Sequence, residues 1–585
     1  MENENKLHDI RHSLAHLLAI AVLKHDPRAL LGVGPVIENG VYYDFLLSGP
    51  LKESDLSSIE KNMKKLVGSR LDFTGKEISK KDGEELFKDQ PFKLELLAEF
   101  ATEDKTLTAY TAGTFTDLCR GGHVDNTSEI NADGFKLERI AGAYWKGDQK
   151  NQQLTRIYGL AFETKEALDN LLRMQEEAVK RDHKKLGREL DLFLIDEKVG
   201  KGLPMWTPRG TAVKFELEKF TRDLERKYGY EHVNTPYLGA EELYRTSGHL
   251  DHYTANMYAP IDMDGDKFYL RPMACPHHIR MYQRKPWSYK DLPIRYAEIA
   301  DYNRYEKSGE LMGMIRVRKF QLTDGHLFVT PEGLKEEFKR VCNMIVEGIK
   351  GLGLLDIVSY RFSKRSLDNK EKYYPDDNLW NHAEELMKEA LDELGLPYVT
   401  ALDEAAFYGP KLDVQAKNVH GKEDTLFTAQ MDFLLPQKFE MEYVDDHGER
   451  KRPVMIHRST IGCLERTFGF LIEHYGGAFP VWLSPTQVVV VPVGEKFEEY
   501  ASGVSKQLKE EGLRVELDSS SETLGKKIRN AKLMKTPYMV VIGQQEIDSG
   551  RLTIESRDRG QLKDILLTDL IATLKEEIRD KKLQK

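Results

Sequence analysis

The sequence predicts a multidomain α+β protein, on three observations. Its 585 residues exceed what one hydrophobic core serves, so three or four domains are expected. Helical and strand periodicities alternate along most of the chain rather than giving an all-helical or all-β pattern. Past Trp482-Leu483-Ser484-Pro485 the pattern changes to short buried runs alternating with helical stretches, the mark of a small α/β domain with mostly parallel strands.

Composition narrows the class. At 40% hydrophobic and 31% charged residues the chain reads as globular. No apolar run approaches the roughly 20 residues that span a bilayer. The start, MENENKLHDI, lacks a signal peptide's basic and apolar parts, so a cytoplasmic protein without membrane association is expected. Four widely spaced cysteines, Cys119, Cys275, Cys342 and Cys463, argue against a disulfide framework. A net charge of −10 argues against bulk non-specific nucleic-acid binding, but leaves room for a local basic surface facing RNA.

Leu7 to Lys24 has helical spacing, with Ile10, Leu14, Leu17, Leu18 and Ala21 on one face. Gly32 to Phe45 reads as a hairpin turning at Asn39-Gly40. Strands and helices then alternate to about Leu172. Met174 to Phe193 is a highly charged helical stretch without a wide apolar face, which suits a linker helix. A large α+β segment follows. In the last segment, strands are expected at Val488 to Val493, Leu513 to Leu517 and Tyr538 to Ile542, with a helix at Glu495 to Glu511. The expected divisions are residues 1–173, 174–193, 194–484 and 485–585.

The most informative stretch is Ile294 to Phe328, IRYAEIADYNRYEKSGELMGMIRVRKFQLTDGHLF. It reads as strand, charged loop and second strand, the latter carrying Arg316, Arg318 and Phe320. Side chains alternate along strands, so an Arg, an acid and an aromatic share one antiparallel surface. A nucleotide needs these groups: a guanidinium to grip phosphate, a carboxylate to accept from the adenine amino group, a ring to stack on the base. An exposed hairpin with ordinary surface charges fits equally well in isolation. Two further segments add weight. Tyr228 to Pro236 looks like a helix end running into a strand, and Gly462 to Thr467 like a strand-to-helix junction bearing Arg466.

In order and spacing these three segments resemble the signature motifs of class II aminoacyl-tRNA synthetases. With the details below, the chain resembles the threonyl-tRNA synthetases from about residue 7 to its C-terminus. That resemblance implies a class II antiparallel-sheet catalytic core, an α+β editing domain before it and a C-terminal α/β anticodon-binding domain. It implies formation of threonyl-adenylate from L-threonine and ATP, transfer to tRNA(Thr), and hydrolytic editing of seryl-tRNA(Thr). Relatives carry a further ubiquitin-like domain ahead of the editing domain, and none is expected here.

Carried over by position, Arg304 holds the α-phosphate and reacting carboxylate, Glu306 faces the adenine amino group, and Phe320 stacks on the base. Arg466 covers its other side and reaches the γ-phosphate, Arg316 serves the terminal phosphates, and Thr428 belongs to the nucleotide site. Arg304, Arg466 and Lys411 form the catalytic set. Asp324, Tyr408 and Gln430 line the threonine site. A scattered Cys275, His326 and His457 have no zinc-finger spacing; the resemblance unites them around one Zn²⁺ per subunit with an open position, His277 and His278 being bystanders. Mg²⁺ accompanies ATP. His12 and His16, at i and i+4 on a helix, resemble half of the family's editing pocket, and Cys119 with His123 the other half, assisted by Lys93 and Asp117. By residue type alone, those four could also hold zinc, or Cys119 could be a nucleophile. The pocket is metal-free in the family. A homodimer through the segment containing Pro236 is implied. In the last domain Lys526, Lys527, Arg529, Lys532 and Lys535 could meet tRNA phosphates or equally form a solvated helix face, and Glu546 matches a base-reading position of the family. Leu322, Cys463 and Glu555 depart from the family pattern.

Overall fold

The computed structural model describes residues 2–102, 106–369 and 371–583. Residues 1, 103–105, 370, 584 and 585 of the expected divisions lie outside the described residues. The chain forms two compact units, Met1–Glu176 and Glu177–Lys585.

In the first unit the helix Glu2–His25 buries Ile10, Leu14, Leu17, Leu18 and Ala21. They join Val41, Tyr43, Phe45 and Ile157 in one core. Those residues come from a sheet ordered Leu30–Leu31, Gly40–Leu46, Gln153–Ala161, Phe135–Tyr144, with Val36–Ile37 also pairing Gly40–Leu46. The hairpin turns one residue earlier than expected, because Ile37 pairs with Gly40. Gly40 serves close strand approach rather than the turn: a Cβ there would lie 1.9 Å from the Gly159 carbonyl oxygen. A second sheet joins Phe73–Glu77, Thr108–Ala112 and Phe115–Leu118.

The single linker helix over 174–193 is corrected by the structure. One helix spans Lys165–Arg181, and Asp182 then caps a second, His183–Glu189, accepting from the nitrogens of Lys184 and Lys185 at 2.8 and 3.1 Å. Phe193 starts a short strand. Nor is the later half solvated, since Leu186, Leu190, Leu192 and Phe193 join the main core of the second unit.

That unit is built on an eight-stranded sheet ordered Glu231–His232, Ile294–Asn303, Lys319–Val329, Val454–Cys463, Glu423–Asp432, Lys411–Lys417, Val358–Lys364, Tyr398–Leu402. The strands are antiparallel except at the two edges, where the outermost strand runs parallel to its neighbour. Arg316 and Arg318 lie in the connecting loop and not on the second strand. The pairing ends at Asn303 with Lys319, and Gly313, at φ 51°, turns the chain between Met312 and Arg316. The last five strands are ordered Val515–Leu517, Val488–Pro492, Tyr538–Ile542, Leu552–Ser556, Gly560–Ile565. The first three are parallel, but the last two pair antiparallel as a hairpin, so the sheet is mixed. Its final strand is mostly exposed, unlike a buried parallel strand. Among the described residues no helix is long and apolar enough to cross a membrane.

Candidate functional site

Sheet register assembles the first site. His326 lies opposite His457, His457 opposite Gln430, and Gln430 opposite Lys411. Directly paired residues share a face, so four neighbouring strands contribute one row. Cys275 begins the helix Cys275–Tyr282. A cavity of about 270 Å³ opens there, lined by Cys275, Arg304, Glu306, Arg316, Phe320, Asp324, His326, Tyr408, Lys411, Thr428, Gln430, His457 and Arg466. Every residue expected for catalysis, nucleotide, amino acid or metal is therefore brought to one cavity.

At one end, donor atoms of Cys275, His326 and His457 lie within 4.8 Å of one another, and all three side chains are buried. Their second contacts fix the lone pairs. His457 Nε2 stands 2.7 Å from Asp432 Oδ2 and donates to it, leaving Nδ1 free. His326 Nδ1 stands 2.8 Å from His278 Nδ1, and His278 Nε2 stands 3.0 Å from Glu298 Oε2. Burial raises the Glu298 carboxyl, but His278, Arg271 and Thr235 outweigh it and bring it down to about 2. The ionised carboxylate only accepts. In neutral imidazoles, His278 then donates through Nε2 and accepts at Nδ1 from His326, whose Nε2 keeps a bare lone pair. One thiol and two oriented imidazoles fit a tetrahedral zinc ion with a free position. Burial pushes the Cys275 thiol well above its ordinary value, a tendency that metal coordination reverses. Tyr408 stacks on His457 with ring centres 4.9 Å apart and donates to the Gln430 amide oxygen. Tyr302 donates to Asp324, whose other oxygen accepts from the Gly325 nitrogen at 2.9 Å.

At the other end, Glu306 accepts from Arg316 Nε at 2.8 Å. The Arg304 guanidinium lies 5.1 Å from the Phe320 ring centre. Arg466, in the first turn of Leu464–Tyr475, donates to the carbonyls of Ile315 and Thr425 at 3.0 and 2.7 Å. Lys411 pairs with buried Asp413 at 3.0 Å. His278, Asp432, Tyr302 and Asp413 carry no role in the sequence expectations. The available signal was the i, i+3 spacing of Cys275 and His278 at a helix start. His277 turns away, to the Leu238 carbonyl at 3.2 Å.

The second site lies in the first unit. A cavity of about 610 Å³ is lined by His12, His16, Lys93, Asp117, Cys119 and Tyr43, among others. His123 packs beside it, 3.1 Å from Cys119 Sγ through Nε2. Gly121 and Gly122, at φ 95° and 81°, let the intervening loop curl back. His12 Nε2 is 3.4 Å from the same sulfur. Asp117 is locked by Lys93 at 2.6 Å and Tyr43 at 2.5 Å. Burial pushes the Cys119 thiol up to about 11, and His16 and His123 down to about 4 and about 2. These imidazoles are therefore neutral at pH 7, and as weak bases they offer lone pairs that accept hydrogen bonds from water or substrate.

In the last domain Lys527 is buried on the Asp518 carbonyl at 3.0 Å, and Lys526 pairs with Glu522. Glu546 spends both oxygens internally, on the Gly543 nitrogen at 2.9 Å and Thr553 Oγ1 at 2.6 Å, so it serves there as a cap.

Comparison with known proteins agrees with this architecture. Residues 253–475 match the tRNA synthetase class II core domain (G, H, P, S and T). Residues 487–577 match the anticodon binding domain, and 107–158 the threonyl and alanyl tRNA synthetase second additional domain. The threonine–tRNA ligase of Geobacillus sp. (strain WCH70) is 48% identical over 573 residues, covering 97% of this chain and 88% of the relative. That of Staphylococcus aureus (strain JH9) is 46% identical over 582 residues, covering 99% and 90%. The solved RNA binding domain of threonyl-tRNA synthetase from Cryptosporidium parvum Iowa II superimposes with a TM-score of 0.64 at 35% identity, over 68% of this chain and 98% of that one. On that identity and coverage, the chain belongs to the threonine–tRNA ligase family.

Proposed function

We propose that this protein joins L-threonine to tRNA(Thr) through threonyl-adenylate and hydrolyses seryl-tRNA(Thr) at a second site. The carrying observation is the convergence of Cys275, His326 and His457 at the end of a cavity whose other walls hold Arg304, Arg316 and Arg466. The threonine carboxylate attacks the α-phosphorus of ATP in line, the bond from that phosphorus to the bridging oxygen breaks and pyrophosphate leaves, and charge builds on phosphate oxygens. Arg304 and Lys411 stabilise that charge, Arg466 and Arg316 take the terminal phosphates with Mg²⁺, and Glu306, Phe320 and Thr428 seat the nucleoside. Asp324, Tyr408 and Gln430 orient the amino acid. Cys275, His326 and His457 would hold one zinc ion, which when bound supplies a Lewis-acid position for a neighbouring amino and hydroxyl pair. An apolar pocket separates isosteric threonine and valine by only about 10²-fold, whereas valine lacks the hydroxyl.

Serine keeps both polar groups, so hydrolysis must remove it. In the first unit His12, His16, Cys119 and His123 orient the seryl ester and its attacking water, and the Lys93–Asp117 pair fixes one wall. The working divisions are editing (1–173), a connecting segment (174–193) whose second half packs into the core of the second unit, catalytic (194–484) and anticodon-binding (485–585), in a cytoplasmic homodimer.

The deciding experiment is amino-acid-dependent ATP–pyrophosphate exchange with Thr, Ser, Val and Pro, with and without chelator. Exchange with threonine that chelation removes is expected. Exchange with proline alone would sink the specificity, and none at all would favour a non-catalytic RNA-binding role.

A further inference from the structure

Midway along the segment expected to be a linker lies a buried contact that the proposed reaction leaves unused. His183, 1% exposed, opens the helix His183–Glu189. Its Nδ1 lies 2.7 Å from Glu473 Oε1, and its Nε2 lies 3.2 Å from the main-chain nitrogen of Met314. The amide can only donate, so Nε2 accepts and Nδ1 carries the proton shared with Glu473. The other Glu473 oxygen accepts from the Val419 nitrogen at 3.2 Å.

Met314 belongs to the loop that carries Arg316. Three consecutive residues of that loop are tied down: Met314 by His183, Ile315 by Arg466, and Arg316 by Glu306. Arg466 and Glu306 are the groups assigned to the nucleotide, so two of the three ties are made by groups that ATP would also engage. The His183 tie is not. Glu473 and Arg466 stand two turns apart on the helix Leu464–Tyr475, so the anchor and the phosphate-binding Arg share a rigid support. Room for it is built in. A Cβ at Gly313 would lie 2.1 Å from His183 Nε2, and one at Gly469 would lie 3.0 Å from Ile315 Cγ1 and 3.7 Å from His183 Cδ2.

We propose that His183 is a positioning residue for nucleotide binding: it holds the Met314 turn on the Leu464–Tyr475 helix while Arg466 and Glu306 engage the nucleotide, and so keeps Arg316 within reach of the terminal phosphates. This rests on the nucleotide assignments above. A buried amide deprived of its acceptor is penalised by about the free energy of a tenfold change in an equilibrium constant, and that penalty falls on the nucleotide-ready loop.

Two near-isosteres separate the two nitrogens of the ring. His183→Gln offers an oxygen near the Nε2 position and can still accept from Met314. His183→Asn reaches only the Nδ1 position and can satisfy Glu473 alone. In threonine-dependent exchange, His183→Asn should raise KM for ATP about tenfold with KM for threonine nearly unchanged, and His183→Gln should restore most of the loss. Hydrogen exchange at the Met314 amide should accelerate in the Asn variant and not in the Gln variant. Glu473→Gln, equal in volume, has one acceptor oxygen for two donors and should raise KM for ATP in the same sense even if the Asn variant does not fold. Equal behaviour of the Asn and Gln variants, or an unchanged Met314 amide in the Asn variant, overturns the inference. A parent enzyme without threonine-dependent exchange overturns the nucleotide assignments themselves, which the variants alone cannot do.

Discussion

The two cavities use the same side chains and differ in what stands behind them. Cys275, His326 and His457 in one, and His12, His16, Cys119 and His123 in the other, each bring their donor atoms within 4.8 Å. In the catalytic cavity each imidazole gives its far nitrogen to a partner, His457 to Asp432 and His326 to the His278–Glu298 chain. In the editing cavity His123 keeps such a contact, its Nδ1 lying 3.2 Å from Ser13 Oγ, but His12 Nδ1 and His16 Nδ1 are buried without a hydrogen-bond partner among the described residues. The nearby carboxylate, Asp117, is taken by Lys93 and Tyr43. Metal-bound imidazoles nearly always have such a partner. Residue type therefore does not separate a metal centre from a site that handles water, and the second contact does. On that ground zinc is proposed for the first cluster and not for the second.

The largest expected effect breaks the comparison outright. Cys275→Ala should abolish threonine-dependent exchange and remove the bound zinc, read by elemental analysis of the purified protein. Full exchange with no metal in that variant ends the Lewis-acid argument. The matching change in the other cluster should behave oppositely. His12→Ala with Cys119→Ala should leave zinc stoichiometry and threonine charging near the parent's while slowing seryl-tRNA hydrolysis by roughly 10²- to 10⁴-fold, the usual weight of a positioned proton-transfer group. Zinc lost from the double variant would mean that the two clusters are alike after all.

A smaller effect tests the second contact itself. His278→Leu removes the acceptor that holds the His326 tautomer, and zinc affinity should fall by about 10- to 100-fold in competition with a chromophoric chelator. His277→Leu, whose ring faces the Leu238 carbonyl instead, should leave it unchanged. Equal affinities in the two variants would show that the tautomer is set elsewhere.

These second contacts mark where sequence reading stops. Strand periodicity and the order of three motifs carry the sheet, and every residue that the resemblance assigned to nucleotide, amino acid or metal lines one cavity, whereas Tyr302 and Asp413, which line it too, were not foreseen. Patterns in sequence say which residue types recur, and so His326, His457, Gln430 and Lys411 are singled out without knowing that register aligns them in one row. What failed depends on contacts between distant segments. His278 is expected only not to be a ligand, and its contact with His326 goes unread because it depends on Glu298, twenty residues on. Asn39-Gly40 reads as a turn because Gly usually supplies one, whereas here a neighbouring strand claims the space. The 174–193 helix breaks because Asp182 prefers to cap, and its second half is buried because the core of a separate segment covers it.

The smallest effect sharpens the editing side by asking whether its imidazoles are neutral in the folded chain. Burial holds His16 at about 4 and His123 at about 2, while both titrate near 6.5 once unfolded. Above pH 6.5 neither state carries the proton and stability is unaffected. As pH falls from 6.5 toward 4 the unfolded chain takes up protons that folded His16 refuses, so the first unit loses stability, and the His123 contribution continues to fall toward pH 2. Near pH 5.5 the loss amounts to about 1 kcal/mol for each such group, before any mutual repulsion within the cluster is counted. Hydrogen exchange in the helix Glu2–His25, corrected for intrinsic rates, should therefore quicken between pH 7.5 and pH 5.5. His16→Asn, which cannot titrate, should remove part of that pH dependence. An identical pH response in parent and variant would mean that folded His16 titrates where the unfolded chain does, and that burial does not hold it neutral in the editing cavity.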